Sequence, residues 1–254
     1  MSPATKSTAF VLVPGSFSPN TFYEKVIPLL QKEGYEAYPT PLLSCGQRDK
    51  GPATMQEDAA LIHNVVSKLA DDGKDVVIAM NSYGGFPGTE SSKGLSKSER
   101  QKEDKKGGLV GLVYLASFIP PVGMSLRGLM GDSIPDSIKK AGEYMYLNPE
   151  EDYKNIFSDF PEAQGRAYMA QMPHHSTISF SGELTYPGYK YIPATYLVTE
   201  GDKIIPPEHQ RQMIAFAKGE GVILKVDSTE AGHVPMLGAP EKVVEVLIGA
   251  ANES

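Results

Sequence analysis

The sequence holds a single cysteine, Cys45, among 254 residues. That excludes an intrachain disulfide framework and any cysteine-rich zinc or iron–sulfur site, and it suits a reducing compartment. Positive charge is also short, with 24 Lys and Arg against 31 Asp and Glu and a formal net charge of -7. Such a surface repels phosphate backbones and anionic lipid, and no local basic patch offsets it, so neither nucleic acid nor a membrane is expected as a partner. Apolar residues make up 41% of the chain. That is too much for disorder, yet the apolar runs are too interrupted for a membrane span. The segment Met1 to Phe10 lacks a basic region, an apolar core and a cleavage site, and it runs straight into an apolar strand, so a cytoplasmic protein is expected. No internal repeat or low-complexity tract interrupts the chain. A chain of this length can bury roughly 70% of its extended surface, enough for a core without staples.

Apolar runs and helical patterns alternate through the first half, the signature of βαβ units around a parallel sheet. Phe10 to Val13 is an apolar run stopped by Pro14-Gly15, and Thr21 to Lys32 then carries Phe22, Val26, Ile27, Leu29 and Leu30 at helical spacing. A short strand near Tyr35 to Pro39 leads through a Gly/Pro-rich loop to an amphipathic helix over Thr54 to Ala70. Asp75 to Met80 and Leu109 to Leu115 read as buried parallel strands. Between them, Lys93 to Gly108 is dense in charges of both signs and reads as a solvated loop or frayed helix end. From Val122 to Tyr191 the alternation disappears, and ten of the chain's 22 aromatics fall between Tyr144 and Tyr191. Strand and helix signals resume with Ala194 to Thr199, Pro207 to Lys218, Val222 to Val226 and Pro240 to Ala251. The expected organisation is an α/β core of residues 1–121 and 192–254 with a helical lid of residues 122–191 inserted.

Ser82 is the focus of the chemistry. A strand enters a tight turn with serine at its apex, and Gly84-Gly85 lead into a helix; this is the pattern of a nucleophile elbow, which exposes the serine oxygen above the sheet. The residue two before the serine is Met80, where glycine is usual. A serine hydroxyl needs a base to take its proton and an acid to orient that base. His233 follows one strand and Asp202 follows another, and sites in open α/β sheets gather at such carboxyl ends. The chain order Ser82, Asp202, His233 is the order expected of this kind of hydrolase. Val13 to Phe17 turns after the first strand, so a backbone N–H there, with Ser16 favoured over Phe17, could join the Tyr83 N–H in an oxyanion hole. Of the other histidines, His63 and His209 read as packing or surface residues. His174 and His175 are neighbours whose side chains diverge, which argues against a metal pair.

The segments FVLVPGSF, NSYGG, GDKIIPP and AGHVPML together resemble the α/β-hydrolase superfamily. The similarity is to the small intracellular group of plant methyl-ester esterases, hydroxynitrile lyases and similar fungal hydrolases, and it spans nearly the whole chain. It implies the α/β-hydrolase fold, a mostly parallel central sheet flanked by helices with a helical lid after the sixth-type strand. It implies Ser82 as nucleophile, His233 as base, Asp202 as acid, and the N–H groups of Ser16 and Tyr83 as the oxyanion hole. Pro14 stands where that family commonly has His, and Asn81 where His often precedes the serine. In the hydroxynitrile lyases of the group a Lys follows the catalytic His and a Thr replaces the turn Gly; Val234 and Gly15 occupy those positions here, which disfavours cyanohydrin chemistry.

The expected activity is hydrolysis of a small, largely apolar carboxylic ester or lactone through an acyl-enzyme, with no cofactor and no metal. A lyase or cyclase using His233 as base, and a ligand receptor that retains the triad, are the rival readings. Phe17, Phe118, His175 and Phe180 are expected to line the substrate pocket, with Phe157, Phe160 and Tyr168 adding apolar surface for an acyl group. The expected partner is the small-molecule substrate. The oligomeric state stays open, a homodimer among the options.

Overall fold

The computed structural model describes residues 6–131 and 138–252. β1 (Thr8–Val13) is followed by a 3-10 turn at Asn20–Tyr23, α1 (Val26–Lys32), β2 (Glu36–Pro39), α2 (Met55–Asp71) and β3 (Asp75–Ser82). α3 (Gly85–Glu90), α4 (Lys97–Gln101) and β4 (Gly108–Ser117) complete the first half. The middle segment holds α5 (Leu126–Met130), β5 (Lys139–Ala141), β6 (Tyr144–Tyr146), α6 (Pro149–Ile156), α7 (Glu162–Met169) and β7 (His175–Ser176). β8 (Ala194–Thr199), α8 (Pro207–Gly219), β9 (Leu224–Thr229), α9 (Pro235–Gly238) and α10 (Pro240–Asn252) follow.

Six strands form one sheet in the order β2-β1-β3-β4-β8-β9, and every pair in it is parallel. Strands buried on both faces read as continuous apolar runs, and β4 has no exposed residue along its length. The two faces carry separate cores. One joins Val11, Ile78, Leu112 and Tyr196 to the face of α2, and the other joins Phe10, Val77, Val113 and Leu247 to α1 and α10. α2 starts at a capping box, with Thr54 accepting the Glu57 N–H while the Glu57 carboxylate accepts the Thr54 N–H.

Three local expectations are corrected. The helical pattern over Thr21 to Lys32 divides into the 3-10 turn and α1, because Pro28 has no N–H and is accommodated only in a first helical turn, which sets the start at Val26. The charged stretch Lys93 to Gly108 contains α4, whose start is capped by Ser96. Its Arg100 is buried, donating to the Asp71 carboxylate at 2.7 Å and to the Gly107 carbonyl at 2.7 Å. The segment between β4 and β8 is helical only in part: β5, β6 and β7 form a three-stranded antiparallel sheet. Strands of two and three residues are too short to display a period of two in sequence.

Candidate active site

β3 ends at Ser82, whose φ of 52° lies in the left-handed region that a side chain rarely occupies. The sheet register slips at this point, Asn81 pairing with Leu115 and Ser82 with Ser117, so Ala116 is left over at a φ of 47°. The slip turns two donors onto the Ser82 carbonyl, Ser117 Oγ at 2.8 Å and the Phe118 N–H at 3.2 Å. A Cβ on Gly84 would lie 2.6 Å from the Pro14 carbonyl oxygen and 2.8 Å from that of Asn81, so only glycine lets the turn close against the β1 loop. Met80, the departure from the usual glycine, is housed one helical turn further on. A Cβ at Gly88 would come within 2.4 Å of the Met80 sulfur, so the space that glycine usually leaves before the serine is provided here by α3.

His233 lies in the loop between β9 and α9 and is 6% exposed. Its Nε2 is 2.9 Å from Ser82 Oγ and its Nδ1 is 2.8 Å from Asp202 Oδ2. A carboxylate only accepts, so Nδ1 carries the proton and Nε2 is left as acceptor for the serine hydroxyl. The Asp202 carboxylate takes five hydrogen bonds: Oδ1 from the Ile204 and Ile205 N–H groups, and Oδ2 from His233, Thr199 Oγ1 and Gln210 Nε2. This replaces the water that the buried acid has lost.

Two positioning residues escaped the sequence reading of roles. Gln210 of α8 is fully buried; its Oε1 accepts the Thr199 N–H, and its Nε2 reaches Asp202 Oδ2 and the Ile205 carbonyl. A glutamine inside an amphipathic helix gives no pattern that marks it as a partner of the acid. Asn81, noticed only as a departure from His, donates from Nδ2 to the carbonyls of Leu115 and His233 at 2.8 and 3.0 Å. It ties the histidine loop to β4.

The Ser16 and Tyr83 N–H groups have no hydrogen-bond partner among the described residues, and Ser16 lines the same cavity as Ser82. Phe17, the second choice of donor, is already engaged: at a φ of 59° its N–H donates to His175 Nδ1 at 3.3 Å. His175 therefore does not line the cavity as expected. It is fully buried behind Phe17, where its Nε2–H points at Ser179 Oγ at 3.0 Å, and burial pushes its pKa down to about 3.

The cavity has a volume of about 740 Å³ and a mostly apolar wall that includes Phe118, Phe180, Leu126, Met172 and Met213. Phe17, Phe118 and Phe180 are among the residues that line it. Phe157, Phe160 and Tyr168 are not. They pack on one another and on Phe22, with ring centroids 5.3 to 6.1 Å apart, in the second core. His209, read as a surface residue, is exposed at the cavity wall. His63 bonds the Ser91 carbonyl through Nδ1. Among the described residues no group of three His, Cys, Asp or Glu could hold a metal ion, and no helix is long and apolar enough to cross a membrane.

A serine, a histidine and a carboxylate bonded in sequence at the carboxyl edge of an open parallel sheet, beside an apolar cavity, define a hydrolase-type scaffold. The chain belongs to the alpha/beta hydrolase family, which it matches over residues 10–246. It is 32% identical over 240 residues to the probable hydrolase R7 of Phoma sp., covering 93% of this chain and 95% of that protein. It is 27% identical over 249 residues to the alpha/beta hydrolase nvfD of Aspergillus novofumigatus, covering 97% of each. Among solved structures, a pyrethroid hydrolase from Sphingobium faniae shares the fold at a TM-score of 0.74 and 21% identity, over 96% of this chain and 97% of that one.

Proposed function

We propose that this protein is a serine hydrolase that cleaves a small, largely apolar carboxylic ester or lactone. The observation that carries the reading is the unbroken line from Ser82 Oγ through the His233 ring to Asp202, at 2.9 and 2.8 Å, at the wall of an apolar cavity. Ser82 Oγ attacks the carbonyl carbon as His233 Nε2 takes its proton, and Asp202 stabilises the imidazolium through Nδ1–H. The developing oxyanion accepts the N–H groups of Ser16 and Tyr83. Collapse returns the proton from Nε2 to the leaving oxygen and leaves the acyl group on Ser82. Water activated by His233 then releases the acid and restores the serine.

The described residues of 122–191 act as the lid over this site, contributing Leu126, Met172 and Phe180 to the cavity; residues 132–137 of that segment lie outside the described residues. The acidic surface and the single cysteine favour a cytoplasmic protein whose partner is its small-molecule substrate. The test is labelling with a fluorophosphonate followed by a panel of aryl and methyl esters. Labelling of the wild type at Ser82, its loss in Ser82→Ala and turnover of the esters are the expected results. A Ser82→Ala protein that folds and still turns over its natural substrate at a substantial fraction of the normal rate would replace this reading with base-only lyase chemistry.

A further inference from the structure

Among the described residues that line the cavity beside Ser82, one carboxyl group has no part in hydrolysis. Asp152 sits in the first turn of α6, is 5% exposed, and lines the same cavity as Ser82 and His233. Helix phase puts it there: Asp152 lines the cavity, Ile156 one turn on borders both the cavity and the second core, and Tyr153 and Phe157 belong to the second core without lining the cavity. Oδ2 accepts the Asn148 N–H at 2.7 Å, and Oδ1 has no hydrogen-bond partner among the described residues. No Lys or Arg is among the described residues that line the cavity, so none of them there forms an ion pair with this acid.

While the cavity is open, water can satisfy the free oxygen. A substrate that fills the cavity displaces that water, and it must supply a donor or leave a buried oxygen unpaired. We propose that Asp152 is a substrate-recognition residue. The cavity takes an apolar ester or lactone carrying an O–H or N–H group that donates to Asp152 Oδ1, and it discriminates against substrates carrying a second carboxylate at that position. The proposal rests on the hydrolase reading, since Ser82 performs the reaction. A carboxylate in a first helical turn also suits the helix dipole and holds the Asn148 N–H, so the experiment must separate recognition from capping.

The probes are fluorophosphonates on alkyl chains of graded length ending in methyl, hydroxyl or carboxylate, and the quantity read is the second-order rate of Ser82 labelling. At the length that reaches Asp152, the hydroxyl-ended probe is expected to react roughly tenfold faster than the methyl-ended one, and the carboxylate-ended probe more slowly than both. Asp152→Leu reverses the order of hydroxyl and methyl. Asp152→Asn, which keeps an acceptor for the Asn148 N–H, removes the discrimination against carboxylate. Circular dichroism checks that the variants fold. Equal rates for the three chain ends at every length in the wild type would overturn the proposal without recourse to any variant. So would an unchanged hydroxyl-to-methyl ratio in folded Asp152→Leu. Failure of every probe to label Ser82 would strike the hydrolase reading itself and the proposal with it.

Discussion

Ser82 occupies a left-handed backbone conformation, which costs on the order of 1–3 kcal/mol and persists because the surrounding hydrogen bonds determine it. The side-chain oxygen adds little to that balance. Ser82→Ala is therefore expected to change stability by less than about 0.5 kcal/mol while lowering ester hydrolysis by several orders of magnitude, as thermal melts and single-turnover assays would measure. Asp202→Asn leaves Ser82 in place but disturbs the tautomer and charge of His233, and a loss of roughly 10⁴ in kcat is expected if the triad acts as proposed. His175 makes a different prediction. Its buried ring has a pKa of about 3, against about 6.5 when free. Below that free value the unfolded chain takes up a proton that the native ring refuses. The stability owed to a neutral His175 is thus complete above about pH 6.5 and declines as pH falls toward 3, the loss reaching about 2 kcal/mol near pH 5. Urea melts of the wild type and His175→Asn across that range should converge as pH falls; parallel curves would contradict the assignment.

The elbow and α8 act as elements rather than as single side chains. In the turn from β3 to α3, Gly84 lies so near the Pro14 and Asn81 carbonyls that Gly84→Ala must move backbone. A loss of about 1–3 kcal/mol is expected, with a fall in labelling of Ser82 beyond what the unfolded fraction explains. Gln210 fastens α8 to the loop that carries Asp202. Gln210→Leu would leave buried groups unpaired at about 1–3 kcal/mol and lower kcat without removing any group that touches substrate. The elbow was legible in the sequence because strand, serine and glycines are consecutive. The role of Gln210 was not, since its partners lie on β8 and the following loop and no local spacing records them. The aromatic residues of the middle segment show the same limit: Phe180 and Phe157 are alike as residues, and only the rotation of each element sends one to the cavity and the other to the second core.

At the scale of the whole molecule, the cavity lies where the middle segment, the β1 and β3 loops and α8 converge. Its apolar wall predicts that kcat/KM rises along acetyl, butyryl and hexanoyl aryl esters, by up to about 0.8 kcal/mol for each methylene that enters, until the volume is filled. A flat or steeply falling series would contradict an apolar acyl site. Phe17, Phe118 and Phe180 line that wall, as does Met172 from the segment that read as a lid, whereas Met213 and Phe216 join it from α8, which read as an ordinary helix.

The sequence by itself determined the parallel α/β plan and the chain order of Ser82, Asp202 and His233, because continuous apolar runs, glycine turns and strand ends are local signals. Only the tertiary structure decided that these three side chains stand within hydrogen-bond reach, since 151 residues separate His233 from Ser82 and 31 separate it from Asp202. It also decided that His175 serves the Phe17 loop and that Asp152 faces the cavity. Those assignments depend on which way a short strand and one helical turn are rotated, and rotation is set by packing across the fold rather than by neighbours in the chain.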